Sequence, residues 1–149
     1  MKTSMDKGQR LKASHEFEVR FSEVDSMQIV WHGSYALYFE DAREAFGRKY
    51  GLDYLTIFGA GYYAPLVDLR FEYRSPLLYG ERARIEAAFR NTPAAKIVFD
   101  YEIFALEKGG GERPVASGSS TQVFLDRDRH LVLYSPPFFE EWKRKNGLM

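Results

Sequence analysis

An aspartate and a histidine lie seven residues apart in a short irregular segment, and their placement suits chemistry at a carbonyl group. Asp25 follows a predicted strand, and His32 comes just before a predicted helix. A helix N-terminus leaves backbone N–H groups unpaired and carries a partial positive charge. Such donors can hold a carbonyl oxygen and stabilise the oxyanion that develops on attack. A carboxylate opposite them would serve as nucleophile or as general base toward water.

The neighbouring residues fit this interpretation without proving it. Gly33 would let a ligand approach the backbone closely. Asp25 and Ser26 also fit an ordinary Asx turn, and His32 could simply cap the helix. We favour a role for the His32 backbone over one for its ring, and we expect Trp31 to contribute mainly to packing. The residues alone therefore leave a catalytic and a structural interpretation open.

The strand and the helix on either side of this segment are predicted from hydrophobic periodicity. Alternating apolar and charged residues predict a strand over residues 15–22, with Phe21 on its inward face. Apolar residues then recur at helical spacing over residues 35–46. Ser34 is the expected N-cap of this helix, and Gly51 is its expected stop signal.

The remainder of the chain predicts a sheet that this helix can cover. Two further helical segments are predicted, over residues 52–58 and over residues 138–145 after a proline pair. Four more strands, each with one apolar face, are predicted over residues 67–74, 82–90, 97–106 and 115–125. A long helix with an apolar stripe can cover the apolar face of an antiparallel sheet. The expected architecture is α+β, with four later strands in antiparallel succession and a curved sheet wrapped around one long helix.

The composition limits the possible classes of protein. A chain of 149 residues suits one domain, which we divide into a polar tail over residues 1–14 and a domain over residues 15–149. Lys+Arg and Asp+Glu both number 21, so no overall field attracts nucleic acid. The chain has no cysteine, which excludes disulfides and a thiolate nucleophile, and its three histidines show no metal-ligand spacing. We therefore expect no metal, no cofactor and no nucleic-acid partner.

Location and assembly can also be predicted. The N-terminal residues lack the apolar core of a signal peptide, and no apolar run is long enough to span a membrane. These features predict a cytoplasmic protein. The exposed edge of such a small sheet favours pairing with a second copy, so we expect a homodimer or a homotetramer.

Residues 20–43 read RFSEVDSMQIVWHGSYALYFEDAR, which resembles the signature of the 4-hydroxybenzoyl-CoA thioesterase family. That signature combines an aspartate, a short loop, an apolar pair, an aromatic residue or histidine, and a tyrosine before a Phe-Glu-x-Ala-Arg-like helix. The resemblance extends over about residues 15–145 and implies the hotdog fold. It also implies a hydrolase that converts an acyl-CoA thioester to free acid and CoA without a metal or redox cofactor.

The resemblance assigns roles by position in the signature. Asp25 matches the catalytic carboxylate of the family, and His32 matches the residue whose backbone N–H polarises the thioester carbonyl. Tyr35 matches a recurrent position at the start of the helix, and we expect it to contact the substrate together with Gly33. The family often has glycine where this chain has Gln28, so this polar side chain is a further candidate for substrate binding.

Two departures from the family pattern keep other functions open. One is Gln28, and the other is Phe21, which replaces a tyrosine of some branches and so removes a hydroxyl group. A non-catalytic acyl-CoA-binding protein of the same fold is therefore an alternative, as is a thioesterase that acts on acyl carrier protein. A cone-shaped α+β lyase or isomerase is another, although such folds commonly place helices before most of the sheet.

Overall fold

The computed structural model describes residues 10–149, which form a six-stranded antiparallel sheet and three α-helices. The strands are β1 Lys12–Glu18, β2 Leu66–Tyr73, β3 Arg82–Arg90, β4 Lys96–Leu106, β5 Glu112–Leu125 and β6 Leu131–Val132. The helices are α1 Tyr35–Tyr50, α2 Tyr54–Gly59 and α3 Pro137–Lys145, and 3-10 turns cover Phe21–Glu23 and His32–Ser34. The predicted α+β class is confirmed.

The strands lie in the order β1-β3-β4-β5-β2 across the sheet. The strands β3, β4 and β5 pair consecutively, as predicted, and β1 pairs with β3. The prediction of four strands in succession was wrong for β2, which pairs with the far side of β5. Because β1 already occupies the other side of β3, the chain crosses from β2 at one edge to β3 near the opposite edge. The short strand β6, which was not predicted, pairs with β5.

The helix α1 packs an apolar stripe into the core, as its residue spacing predicted. Its buried aromatic and aliphatic residues are Tyr35, Tyr38, Phe39, Ala42 and Phe46. Gly51 ends the helix at a φ of 76°, and its N–H donates to the carbonyl of Gly47. Glycine suits this position because a left-handed residue at a helix end otherwise brings a Cβ into conflict with the backbone. On its exposed side, Glu44 and Arg48 form an ion pair at 2.9 Å, as their spacing of four residues allows.

The Phe39 side chain of α1 reaches across the sheet to Gly118 in the middle of β5. A Cβ atom at this position would lie 2.1 Å from the Arg70 carbonyl oxygen and 2.8 Å from the Phe39 ring. The Phe39 ring in turn stacks on Tyr101 of β4, with their centroids 4.1 Å apart. Glycine therefore makes room at this point of β5 for the Arg70 carbonyl of β2 and for the Phe39 ring of α1.

The first strand begins and ends earlier than its predicted bounds. Pairing with β3 starts at Lys12, so the predicted tail over residues 1–14 was wrong for residues 12–14. The first nine residues of that tail lie outside the described residues. The strand stops at Glu18 because the chain then folds into a 3-10 turn. The prediction that Phe21 faces inward was consequently wrong, since this side chain is 76% exposed.

The two shorter helices confirm their predictions with small shifts. The second helix spans Tyr54–Gly59, and the third begins at Pro137, where a proline suits the first helical position. The glycine run at 109–111 forms the loop between β4 and β5, as expected. Within residues 10–149, none of the helices has both the length and the apolarity needed to cross a membrane.

Candidate active site

Asp25 begins a tight hairpin loop that connects the end of the first 3-10 turn to the start of the second. Its N–H donates to the Ile29 carbonyl at 2.9 Å, and the Gln28 N–H donates to the Asp25 carbonyl at 2.9 Å. Val24 and Val30 pair across the loop. This is the pattern of a three-residue hairpin loop, in which a type I turn is followed by a left-handed residue.

Gln28 holds that left-handed position with a φ of 64°. Glycine adopts this conformation without steric cost, whereas other residues pay for the contact of Cβ with the backbone. The family's frequent glycine at this position therefore has a backbone reason, and the loop still closes with glutamine. The Gln28 side chain is exposed, and its carbonyl accepts the Tyr79 N–H at 2.9 Å.

The two carboxylate oxygens of Asp25 have different environments. Oδ1 accepts the Met27 N–H at 2.8 Å, so the Asx turn that the sequence allowed is present. Oδ2 has no hydrogen-bond partner in the part of the chain that the structure describes. One oxygen thus holds the loop in shape, and the other is available to a substrate or a water molecule.

The N-terminus of α1 has no side-chain cap. Ser34 occupies the predicted N-cap position, but its hydroxyl donates to the Glu23 carbonyl at 3.0 Å instead of capping the helix. Among residues 10–149, the N–H groups of His32 and Gly33 have no hydrogen-bond acceptor. The His32 carbonyl accepts the Tyr73 hydroxyl at 3.2 Å, while the exposed His32 ring bonds to no group in this range. The backbone here, rather than the imidazole, offers unpaired donors.

Trp31 lies over these donors on the surface of the protein. The Trp31 and His32 ring centroids are 4.9 Å apart, and a Cβ at Gly33 would lie 2.1 Å from the indole. The indole remains 52% exposed. Its packing is therefore against the loop rather than in the core. The absence of a side chain at Gly33 makes room for the indole, and a ligand at this point must share that space with it.

Tyr35 lies in the core next to the candidate site. Its side chain is 4% exposed, and its ring meets the Tyr73 ring at 5.1 Å in an edge contact. Burial, helped by the nearby Tyr73, raises the pKa of Tyr35 to about 12. Because the ring has so little free surface, its predicted contact with the substrate stays a prediction.

Glu23 is a buried carboxylate that the sequence patterns did not single out. It is 8% exposed, and its Oε1 accepts both the Arg20 N–H and the Tyr38 hydroxyl at 2.9 Å. Burial and this bond to Glu23 raise the pKa of Tyr38 far above its ordinary value. The only sequence signal for Glu23 is its capping-box spacing from Arg20, which alone does not predict burial.

The other charged groups near the sheet are engaged with one another. Five arginines in or beside the strands form ion pairs within the chain: Arg70, Arg74, Arg82, Arg84 and Arg90. In the turn after β5, Asp126, Asp128 and His130 lie together although the histidine spacing predicted no metal site. Asp126 Oδ1 accepts the N–H groups of both other residues, which is the bonding of a tight turn.

The candidate residues lie outside the cleft that follows the helix. That cleft of about 890 Å³ runs beside α1 and is walled partly by Leu52, Ile57 and Phe99. Asp25, His32 and Gly33 do not line it. In the single chain the candidate site is therefore an open surface around the first turn of α1.

The sheet order, the single long helix and the loop before it define an α+β domain of the hotdog kind. Solved structures agree with this fold. The chain is similar to a DHNA-CoA thioesterase from Staphylococcus aureus, with 26% identity, a TM-score of 0.77 and 92% of each chain covered. It also shares its fold with 4-hydroxybenzoyl CoA thioesterase from Pseudomonas sp. strain CBS-3, with 20% identity, a TM-score of 0.73, and coverage of 89% and 99%. The cone-shaped alternative was wrong, because β1 precedes the single long helix.

Sequence comparison identifies the family. The family model described as the thioesterase-like superfamily matches residues 19–143. The chain is 30% identical over 127 residues to YneP from Bacillus subtilis (strain 168), whose name proposes an acyl-CoA thioesterase, and the match covers 85% of this chain and 89% of YneP. The chain belongs to the thioesterase-like superfamily.

Proposed function

We propose that this chain hydrolyses acyl-CoA thioesters to free acid and CoA, with Asp25 and the backbone at His32 as the reacting site. The observation that carries the proposal is the pairing of a half-free carboxylate with an uncapped helix start, seven residues apart in one closed loop. Family membership supports the reaction class, and the names of the Bacillus and Staphylococcus relatives support a CoA thioester as substrate.

The geometry supports a short mechanism. The thioester carbonyl oxygen accepts the free N–H groups of His32 and Gly33, which draw electrons from the carbonyl carbon. Asp25 Oδ2 then attacks that carbon, or takes a proton from a water molecule that attacks it. The oxyanion collapses, the C–S bond breaks, and the sulfur leaves as the CoA thiolate. The thiolate takes a proton from solvent water in the first route and the proton held by Asp25 in the second. In the first route, water hydrolyses the acyl-aspartyl anhydride. Removal of one oxyanion donor typically costs ~2.7–4 kcal/mol of transition-state stabilisation.

Three nearby residues complete the proposed site. Gly33 makes room for the Trp31 indole and offers its free N–H to the thioester, and the acyl group lies against that indole. Gln28 is exposed at the loop tip, where its amide can contact the part of the substrate outside the loop. Tyr35 supports the site from beneath through the Tyr73 ring.

We also propose that the protein works as a homodimer or homotetramer in the cytoplasm. The edge strand β2 exposes apolar residues, with Val67 59%, Leu69 37% and Tyr73 52% exposed, which favours pairing with another chain. Tyr73 bonds to His32, so a second copy at this edge would lie beside the candidate site. A cysteine-free chain suits a reducing compartment. Light scattering in solution tests the assembly, and a single-chain mass at micromolar concentration would contradict it.

The reaction is tested by thiol release from short, long and aromatic acyl-CoAs, and from an acyl carrier protein thioester. Wild type and Asp25→Asn are assayed together. Asparagine keeps an oxygen that can accept the Met27 N–H, so the loop should keep its shape while the charge is lost. We expect turnover by wild type on at least one acyl-CoA and almost none by Asp25→Asn. Tight acyl-CoA binding without thiol release would instead identify a non-catalytic binding protein, and a preference for the carrier-protein thioester would change the substrate.

A further inference from the structure

We infer that Glu23 and Tyr38 form a positioning pair that sets the geometry of the loop between Asp25 and the start of α1. The inference rests on the proposed function, because it concerns the same reacting site. Neither residue lies where a substrate would touch it, since both side chains are buried beneath the loop. Their effect would pass through the backbone that carries Asp25 and His32.

The side chain of Glu23 joins the two elements on either side of the loop. Its Oε1 accepts the backbone N–H of Arg20 and the hydroxyl of Tyr38, both at 2.9 Å. Its Oε2 accepts the Arg20 Nε at 3.1 Å. Arg20 follows β1, and Tyr38 belongs to the first turns of α1. One carboxylate therefore ties the end of the strand to the helix.

The backbone of Glu23 holds the other end of the loop. Its carbonyl accepts the Trp31 N–H at 2.9 Å and the Ser34 hydroxyl at 3.0 Å. These two contacts stand on either side of His32 and Gly33, the residues with free N–H groups. Because the Ser34 hydroxyl is directed to Glu23, it does not cap the helix. The same residue thus shapes the loop and leaves the helix donors open.

Energetics favour a positioning role over a purely stabilising one. A buried ionic group is weak evidence for stability, because well-packed apolar residues often replace it without loss. A carboxylate that accepts several directed hydrogen bonds does something an apolar residue cannot, since it fixes direction as well as distance. A misplacement of about 1 Å at a catalytic site can cost a hundredfold in rate. The Glu23 side chain bonds to Arg20 and Tyr38, while the Glu23 carbonyl holds Trp31 and Ser34. Loss of the carboxylate would therefore free the backbone that holds both halves of the candidate site.

The test compares Tyr38→Phe, Glu23→Gln and Glu23→Leu with wild type on one acyl-CoA. Tyr38→Phe and Glu23→Leu should lower kcat by about ten- to a hundredfold with little change in KM, because the reacting groups are displaced and not removed. Glu23→Gln keeps an Oε1 acceptor and should recover most of the activity. The matched control is Tyr101→Phe, which removes a buried hydroxyl that bonds to Ser120 at 2.6 Å and to Arg43 at 3.3 Å but to no residue of the loop. It should cost thermal stability without lowering kcat.

A second measurement separates this inference from the proposed function. Amide hydrogen exchange at Trp31 and Ser34 should speed up clearly in Tyr38→Phe and Glu23→Leu, only slightly in Glu23→Gln, and stay unchanged in Tyr101→Phe. If wild type released no thiol, the proposed function would fail, yet the exchange rates would still decide whether the pair holds the loop. Wild-type kcat in Tyr38→Phe and Glu23→Leu, or unchanged exchange in both, would overturn the inference. If Glu23→Leu does not fold, the other two variants decide.

Discussion

The loop over residues 23–33 and the helix α1 are neighbours in the chain, but they are held in opposite ways. Polar bonds fix the loop through its backbone, while Gln28 and His32 are exposed and half-buried Asp25 keeps one carboxylate oxygen free. Apolar packing fixes α1, whose Phe39 and Phe46 are almost fully buried. The candidate catalytic groups therefore lie in the loop, and the enclosed side chains of α1 stabilise the fold. Changes in the two regions should therefore affect different measurements.

Phe46→Ala tests the contribution of α1 packing to stability, and it has the largest expected effect. The Phe46 ring is 0% exposed and meets the Phe99 ring at 4.8 Å, so its loss leaves a cavity in the core. We expect the free energy of unfolding in urea to fall by about 3–5 kcal/mol. Thiol release per folded molecule should be unchanged. The control Leu37→Ala lies on the same helix at 54% exposure and should change little. A large drop in kcat with unchanged stability would contradict the assignment of Phe46 to packing alone.

Gly118→Ala tests the close packing of β2 and the Phe39 ring around Gly118. The new Cβ would meet the Arg70 carbonyl and the Phe39 ring, both of which must move. Overpacking of this kind typically costs about 1–3 kcal/mol of unfolding free energy. Ser119→Ala serves as the control, because the neighbouring residue of a strand faces the opposite side of the sheet. Equal free energies of unfolding in both variants would show that the Arg70 carbonyl and the Phe39 ring can move apart without loss of stability.

Gln28→Gly tests the left-handed backbone of the loop and has the smallest expected effect. Glycine relieves the left-handed backbone, so the free energy of unfolding should rise by about 1 kcal/mol. Gln28→Ala keeps the Cβ and should leave stability near that of wild type. If the amide contacts the substrate, both variants lose kcat/KM together. If only the backbone matters, both keep it, and a less stable glycine variant would contradict the assigned strain.

Periodicity predicted what local spacing determines. The buried face of α1, its end at Gly51 and the start of α3 after the proline pair all depend on residues within a few positions of one another. The prediction for Phe21 was wrong because the alternation of β1 continues in the sequence after the strand itself has ended. Alternation shows which residues are apolar, but it does not show where a strand stops pairing with its neighbour.

Contacts between distant residues were beyond the sequence patterns. The pairing of β2 with β5 depends on which edges remain free once β1 has paired with β3. The burial of Glu23 depends on Tyr38, fifteen residues further along, whose hydroxyl gives the carboxylate a partner. Asp25 and the helix start could be predicted as a candidate site because both lie within one short segment that the family resemblance covers. Glu23 lies in the same segment, but neither its charge nor its spacing indicates burial.

The central claim is that Asp25 acts in the chemistry and not only in the turn that its Oδ1 forms. The most direct measurement is single-turnover thiol release by Asp25→Asn at a concentration matched for folded protein. We predict a free energy of unfolding in urea close to that of wild type. The rate of thiol release should be lower by about a hundred- to ten-thousandfold, the range of a lost acid–base group. Thiol release at the wild-type rate in a folded Asp25→Asn protein would contradict it.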